Sequence, residues 1–314
     1  MQILVALFLD TLLGDPKFMP HPVAGVGAMI RFWEGRFYPG PDKRQGGRFL
    51  CLAVLLTTVV IVGLILLCAS LNRWLYELTT LYLLYTALAW RSLKDHTLPV
   101  VLALSRGDLE TARGALSLIV GRDTENLNEK DVTRAAVETL GENFIDGIFS
   151  VLFFMTLGAL CGGRAGAVLA AWIFKAASTL DSTVGYDDEK YRDFGRASAR
   201  LDDLLNFIPA RLGSLTVLAA GTCLGYSFSQ GFKIFLRDRK KHLSPNSGHG
   251  ESAFAGLLGI RLGGGAFYGG EFEERPVIGD ADFREPEAAD ILKAYGILDA
   301  SVALSALAVY FFLR

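Results

Sequence analysis

Phe49 to Leu71 is a run of 23 residues without a single charge. A helix rises 1.5 Å per residue, so about 20 apolar residues cross the hydrocarbon core of a bilayer, and inside that core only a helix or a closed barrel satisfies its own backbone. The run therefore reads as a spanning helix, and it places the chain among membrane proteins. Shorter apolar blocks follow the same logic. Leu75 to Trp90 carries only Glu77, Leu212 to Phe228 is uncharged, and Ile297 to Leu313 carries only Asp299. Each lies near the lower length limit and is read as a span. Ile148 to Leu160 and Ala165 to Phe174 flank Cys161-Gly162-Gly163-Arg164. This block is either one bent span or, as preferred here, a hairpin over about 143–181 whose polar ends line a cavity. Ile3 to Leu13 has Asp10 in its middle and no basic flank, so it reads as a short membrane-dipping helix rather than a cleavable signal.

The expected fold class is all-α: a polytopic integral membrane protein, one domain over 1–314. It has about five to six membrane helices (near 49–71, 75–90, 143–181, 212–228 and 297–313) and cytoplasmic helical loop regions. Composition agrees, with 51% of residues hydrophobic, 20% charged and a mean hydropathy of +0.35. The 31 basic and 33 acidic residues leave a net charge of −2, which excludes a chain-wide basic surface for nucleic acid. The charge is gathered in three polar regions, 91–146, 175–211 and 229–296. Lys233, Arg237, Arg239, Lys240 and Lys241 crowd one short segment, and the positive-inside rule puts it in the cytoplasm against anionic lipid. If all three regions face one side, an even number of crossings must separate them, and a lone span at 212–228 conflicts with that. Cys51, Cys68, Cys161 and Cys223 all sit in apolar runs without a CxxC pair, as buried thiols do.

Three segments carry candidate chemistry. In NEKDVTRAAVETLGENFID (128–146), Asn128 followed by Asp131 marks a helix start, and Glu138, Glu142 and Asp146 recur every fourth residue on one face. A divalent cation or a basic substrate would relieve their repulsion, and Mg²⁺ shared with a phosphate suits such oxygen ligands. A solvated acidic face, with Arg134 pairing Glu138 at i,i+4, explains the spacing equally well. In FGRASARLDDLLNFIPAR (194–211), a helix ending before Pro209 lines up Arg196, Arg200, Asp203 and Asn206, and sets Asp202 beside Asn206. A salt-bridged face would account for the arginines but not for adjacent Asp202-Asp203. In SPNSGHGESAFAGLLGIRLGGGAFYGG (244–270), Pro245 and Asn246 start a turn, and 251–262 reads as a short helix whose glycine-flanked start could hold an anion. His21, clamped between Pro20 and Pro22, is a further candidate.

DTLLGDPKFMPHPVAGVGAMI, RSLKDHTLPVVLAL, GDLETAR, IVGRDT, RAAVETLGENFIDG, TLDSTVGYDDEKYRDFGRASARLDDLLNFIPAR and SPNSGHGESAFAGLLGIRLGG occur in that order from Asp10 to Gly279. Together they resemble the membrane-bound adenosylcobinamide-phosphate synthases of cobalamin biosynthesis. The positions around Phe144-Ile145, Val151 and His249 depart from that family's usual residues, while the acidic and arginine positions remain. The resemblance implies a carbon–nitrogen ligase that joins adenosylcobyric acid to (R)-1-amino-2-propanol phosphate or a related amino-alcohol phosphate. It implies ATP as cosubstrate and Mg²⁺, a multi-pass place in the cell membrane with a cytoplasmic active site, and contact with other membrane enzymes of cobalamin assembly.

Residue chemistry placed on those motifs gives expected roles. Glu142, Asp146, Asp202 and Asp203 are expected to gather Mg²⁺, with Asn143 and Asn206 completing polar contacts. Arg122, Arg196 and Arg211 are expected to hold phosphate oxygens, with the turn at Asn246 near them. His21, Asp181 or Glu142 would serve the acid–base chemistry. Two rival readings stand beside this one. A Mg²⁺-dependent membrane prenyl or lipid-alcohol transferase would also use Asp-rich helix ends, though no paired DxxxD arrangement occurs. A corrinoid or cation transporter would need charges inside the long spans or paired broken helices.

Overall fold

The computed structural model describes residues 1–16, 18, 20–242 and 244–314. The chain is helical almost throughout and packs as two compact units: residues 1–89, 150–206 and 308–314 form the first, and 90–149 with 207–307 the second.

The first unit holds α1 (Gln2–Leu13), α2 (Pro22–Phe37), α3 (Lys43–Ala69) and α4 (Arg73–Tyr85), with α8 (Ser150–Val184) and the start of α9 (Arg196–Cys223). Asp42 caps α3 by accepting the Gln45 N–H at 3.0 Å. Along α3, Leu50, Val54, Val62 and Leu66 form a buried stripe, while Leu52, Leu56, Val60, Leu64 and Leu67 stay exposed. A helix apolar on every side, with half of it facing no protein, belongs in lipid. Its Thr57 and Thr58 hydroxyls donate to the carbonyls of Ala53 and Val54, so neither leaves a bare polar group there. Helix α8 reverses at Gly162-Gly163, where Gly163 has a φ of +59°. After the reversal Gly158 lies against Gly166, where a Cβ would meet the facing carbonyl at 2.2 Å, and Phe154 stacks on Phe174 at 5.0 Å.

The second unit holds α5 (Trp90–Ser105), α6 (Leu109–Leu116) and α7 (Glu129–Phe144), which runs into a π-helical turn at Ile145–Phe149. It also holds the rest of α9, α10 (Phe228–Asp238), α11 (Ser247–Leu258) and most of α12 (Ala288–Phe312). Two small antiparallel ladders lie between α11 and α12. One pairs β1 (Leu262–Gly263) with β4 (Val277–Ile278), and the other pairs β2 (Ala266–Tyr268) with β3 (Glu271–Glu273). Every residue of α11 is buried, because small residues let α7 and α10 close on it. A Cβ on Gly250 would stand 2.5 Å from the Gly141 carbonyl, and one on Gly256 would stand 2.8 Å from the Gly231 Cα.

Among the described residues, four helical runs are long and apolar enough to cross a membrane: α3, the run Glu129–Val184, α9 and α12. The fold is that of an all-α, multi-pass membrane protein. The block at 75–90 forms α4, only 13 residues long, before the chain turns at Thr86. Pro209 does not end its helix, because α9 continues through it to Cys223. One missing N–H frees one carbonyl, and burial of Ala210, Ser214, Val217 and Leu218 outweighs that loss. The basic segment at 233–241 is also less bare than its sequence suggests. Asp280 takes Lys233 and Arg237, and the buried Asp238 takes Arg237 and Lys241.

A polar recess beside α7 and α11

Asn128 starts α7 by accepting the Asp131 N–H at 3.0 Å, as its spacing predicted. The helix then buries nearly every residue from Val132 to Gly141, Glu138 included. A buried carboxylate must be paired. Arg122 reaches its Oε2 at 2.7 Å, and the Gly263 N–H reaches Oε1 at 2.7 Å. Gly263, Gly264 and Gly265 all have φ between +72° and +95°, and that backbone brings the amide to the carboxylate. Arg134 turns to Asp131 at 3.0 Å and to the Gly265 carbonyl, so the i,i+4 ladder with Glu138 does not form. One turn on, Glu142 accepts the Ser247 hydroxyl at 2.8 Å, and Asn143 donates to the Thr139 carbonyl of its own helix. Asp146 lies in the π-helical turn, a rare element often found at functional sites.

Glu251 on α11 completes a polar recess of about 60 Å³ with Arg122, Glu138, Lys241, His242, Tyr268 and Arg275 in its wall. Burial raises the Glu251 carboxyl well above its ordinary range; the charges of Glu138 and Glu142 add to this, while Arg122 and Arg275 oppose it. Burial also lowers His242, with Arg275 and Arg122 acting in the same sense against the pull of Glu142 and Glu138. Arg122, Gly265 and Ala266 are shared with a wider cleft of about 780 Å³ over the β2–β3 hairpin. There the Asp123 carboxylate accepts the N–H groups of Gly269 and Gly270 and latches the hairpin turn. Arginine with backbone amides beside an open cleft can hold phosphate oxygens.

Near the start of α11, His249 is 1% exposed, and among the described residues neither ring nitrogen has a hydrogen-bond partner. Burial, and then the charges of Arg211, Arg239 and Lys240, lower it to about 4, so it is neutral at physiological pH. Asn246 is buried at the cap position of α11. Arg211 donates to the Phe207 carbonyl and lies over the Phe207 ring at 3.5 Å. Asp238 responds in the other direction: burial pushes it up, but Arg237, Lys241 and the Gly279 N–H outweigh that and hold it at about 2.

The other sequence candidates lie in the first unit. Asn206 donates to Asp202 at 3.0 Å and accepts the Ser150 hydroxyl at 2.6 Å. Asp203 follows on the same helix, and Arg196 lines an open groove of about 510 Å³ with Arg44, Asp187 and Asp193. His21 caps α2: its Nδ1 accepts the Val23 N–H, and its Nε2 faces Asp15 at 3.3 Å. Asp181 closes the last turn of α8, its carbonyl accepting the Gly185 N–H. Thus Glu142 and Asp146 belong to one unit and Asp202 and Asp203 to the other. Among the described residues no group of three or more His, Cys, Asp or Glu side chains converges as a metal site. The sequence singled out Arg122 and Glu138, but it missed His242, Tyr268, Arg275 and the chemistry of Glu251. One signal was available: His249 and Glu251 interrupt a stretch otherwise made of small and apolar residues, a pattern that marks a buried helix with polar work.

The CobD/Cbib protein family model matches residues 3–298. A cobalamin biosynthesis protein CobD of Desulfotalea psychrophila is 42% identical, covering 95% of this chain and 92% of its own. That of Clostridium perfringens is 40% identical over the same shares, and that of Pelobacter propionicus is 44% identical over 88% and 84%. No solved structure matches the chain. With a family model covering almost its whole length and relatives that align end to end, the chain belongs to the CobD/Cbib protein family.

Proposed function

We propose that this chain is the membrane enzyme that joins adenosylcobyric acid to (R)-1-amino-2-propanol phosphate, or a related amino-alcohol phosphate, through an amide bond. Kinship with cobalamin biosynthesis proteins supports the role in that pathway. The observation that carries the chemistry is the recess and cleft of the second unit, adjoining at Arg122. A carboxylate does not react with an amine until one oxygen becomes a leaving group, for instance as an acyl phosphate. ATP would supply that phosphoryl group, and Mg²⁺ carried on its phosphates would neutralise their charge. Mg²⁺ on a nucleotide needs only one or two protein carboxylates, and Glu142 with Asp146 is the pair available within this unit. Arg122 would hold phosphate oxygens at the mouth of the recess. The recess itself admits a small polar end and excludes a ring. The enzyme would sit in the cell membrane with this site toward the cytoplasm, where ATP is found.

Purified protein in lipid nanodiscs, given adenosylcobyric acid, the amino-alcohol phosphate, ATP and Mg²⁺, is expected to yield adenosylcobinamide phosphate by mass spectrometry. Absence of product in that mixture, with product formed from a prenyl diphosphate and an acceptor alcohol, would transfer the protein to the rival transferase reading.

A further inference from the structure

We propose that Glu251 is the general base of the amide-forming step, taking the proton from the amine nitrogen as that nitrogen bonds to the activated acyl carbon. The inference rests on the reading above. Glu251 feels the charges of two other carboxylates, and both of those are already committed. Glu138 is held by Arg122 and by the Gly263 N–H, and Glu142 by the Ser247 hydroxyl. Glu251 differs. Its side chain is only 7% exposed, it lines the recess, and its ionic partner is His242 Nε2 at 3.9 Å, beyond hydrogen-bond reach. Among the described residues no hydrogen bond ties its carboxyl down. A buried carboxyl lining a polar cavity without a hydrogen bond is costly unless a ligand completes it.

The tautomer of His242 decides which of the two groups can accept a proton. Its Nδ1 accepts the Ser244 N–H at 3.1 Å, so the ring proton of the neutral form sits on Nε2, the atom facing Glu251. His242 therefore offers an N–H and not a lone pair to the recess, and it cannot replace the carboxylate as the base. The charged and titratable groups facing Glu251 come from several elements: Glu138 and Glu142 on α7, Arg122 before it, and Lys241, His242, Tyr268, Glu274 and Arg275 around the recess. Their balance, with burial, leaves a carboxyl more basic than an ordinary glutamate, as a base working near neutral pH requires.

The step balances as follows. The amine enters it neutral, and the C–N bond forms. The bond from acyl carbon to phosphate oxygen breaks, and its electron pair leaves with the phosphate. The nitrogen's proton ends on Glu251. A recess of about 60 Å³ holds an amino group and its first carbon, so the bulk of both substrates stays outside it.

Full-length protein in nanodiscs, with adenosylcobyric acid, ATP and Mg²⁺, would be assayed with two nucleophiles: the amino-alcohol phosphate, and hydroxylamine, which traps activated acyl groups from solvent. Glu251→Gln is expected to lower kcat for the amide by about 10²–10³-fold while hydroxamate formation changes by less than about threefold. Equal loss of both products in E251Q, or an amide kcat within about threefold of the parent, would overturn the proposal. Should E251Q not fold, Glu251→Asp serves instead: amide formation persisting with a displaced acid limb of the kcat/KM profile supports the proposal, and an undisplaced limb overturns it. If the parent protein forms neither product, the function reading fails and this inference falls with it. If the parent forms both and only the variants misbehave, the inference alone fails.

Discussion

Helices α3 and α11 are both rich in apolar and small residues, yet they solve opposite problems. Helix α3 packs one stripe against its neighbours and leaves leucines at 52, 56, 64 and 67 exposed. Within its apolar run, Thr57 and Thr58 each donate to a carbonyl of the same helix. Helix α11 is buried on every side and carries His249 and Glu251 into that interior. Its polar groups meet other elements: Ser247 meets Glu142, and Glu251 faces His242. The lesson is that hydropathy alone does not distinguish a helix that faces lipid from one that supports a site. What separates the exposed stretch of α3 around Gly63 from α11 is whether the small residues touch another backbone. Gly63 of α3 has nothing within 4 Å of where a Cβ would stand, whereas Gly250 has the Gly141 carbonyl at 2.5 Å.

The largest test of this contrast is the buried ion pair at the recess. Glu138→Ala strands Arg122 at 15% side-chain exposure and is expected to cost about 3–5 kcal/mol, read as lowered thermal stability in detergent. Pairing it with Arg122→Met should recover much of that loss, since no lone charge is then left inside. A double variant as unstable as the single one would show that the arginine is not the cause.

A smaller effect compares the two glycines. Gly250→Ala should cost about 1–3 kcal/mol, because the α7 backbone cannot yield to the added methyl. Gly63→Ala should cost nothing measurable. Equal melting temperatures for the two variants would erase the distinction drawn between the helices.

The smallest effect is a slope with pH. His249 is held at about 4 by burial and nearby cations, below its ordinary value of 6.5. The unfolded chain therefore binds the proton more readily between those values. The stability the neutral ring allows is fully present above pH 6.5 and is lost as pH falls toward 4. The contribution is at most about 1.4 kcal/mol for each pH unit. Denaturation midpoints of the parent and His249→Gln proteins, compared across that window, should converge as the pH falls. Parallel curves would mean that the ring is not buried as described.

How far the sequence could be read follows from the reach of each interaction. The α3 span, the Asn128 cap and the Asp202–Asn206 pair were all legible, because each depends on residues within one helix. The partners of Glu138 lie 16 and 125 residues away, so no spacing rule finds them. Proline rules stop α9 at Pro209 because they weigh one lost hydrogen bond and not the packing that follows. Glu251 was passed over as an ordinary helix residue, since only the fold shows that Glu138 and Glu142 come to stand beside it.

The neutralised basic segment has a consequence in time rather than in space. Lys233 and Arg237 precede their common partner Asp280 by 47 and 43 residues. While the chain is being made, that partner has not yet left the ribosome, and part of the segment's charge is still uncompensated. The same lysine and arginine can therefore set the orientation of a membrane helix first and act as structural ties for the 279–280 turn afterwards. A segment that carries uncompensated charge early is then tied into the folded protein.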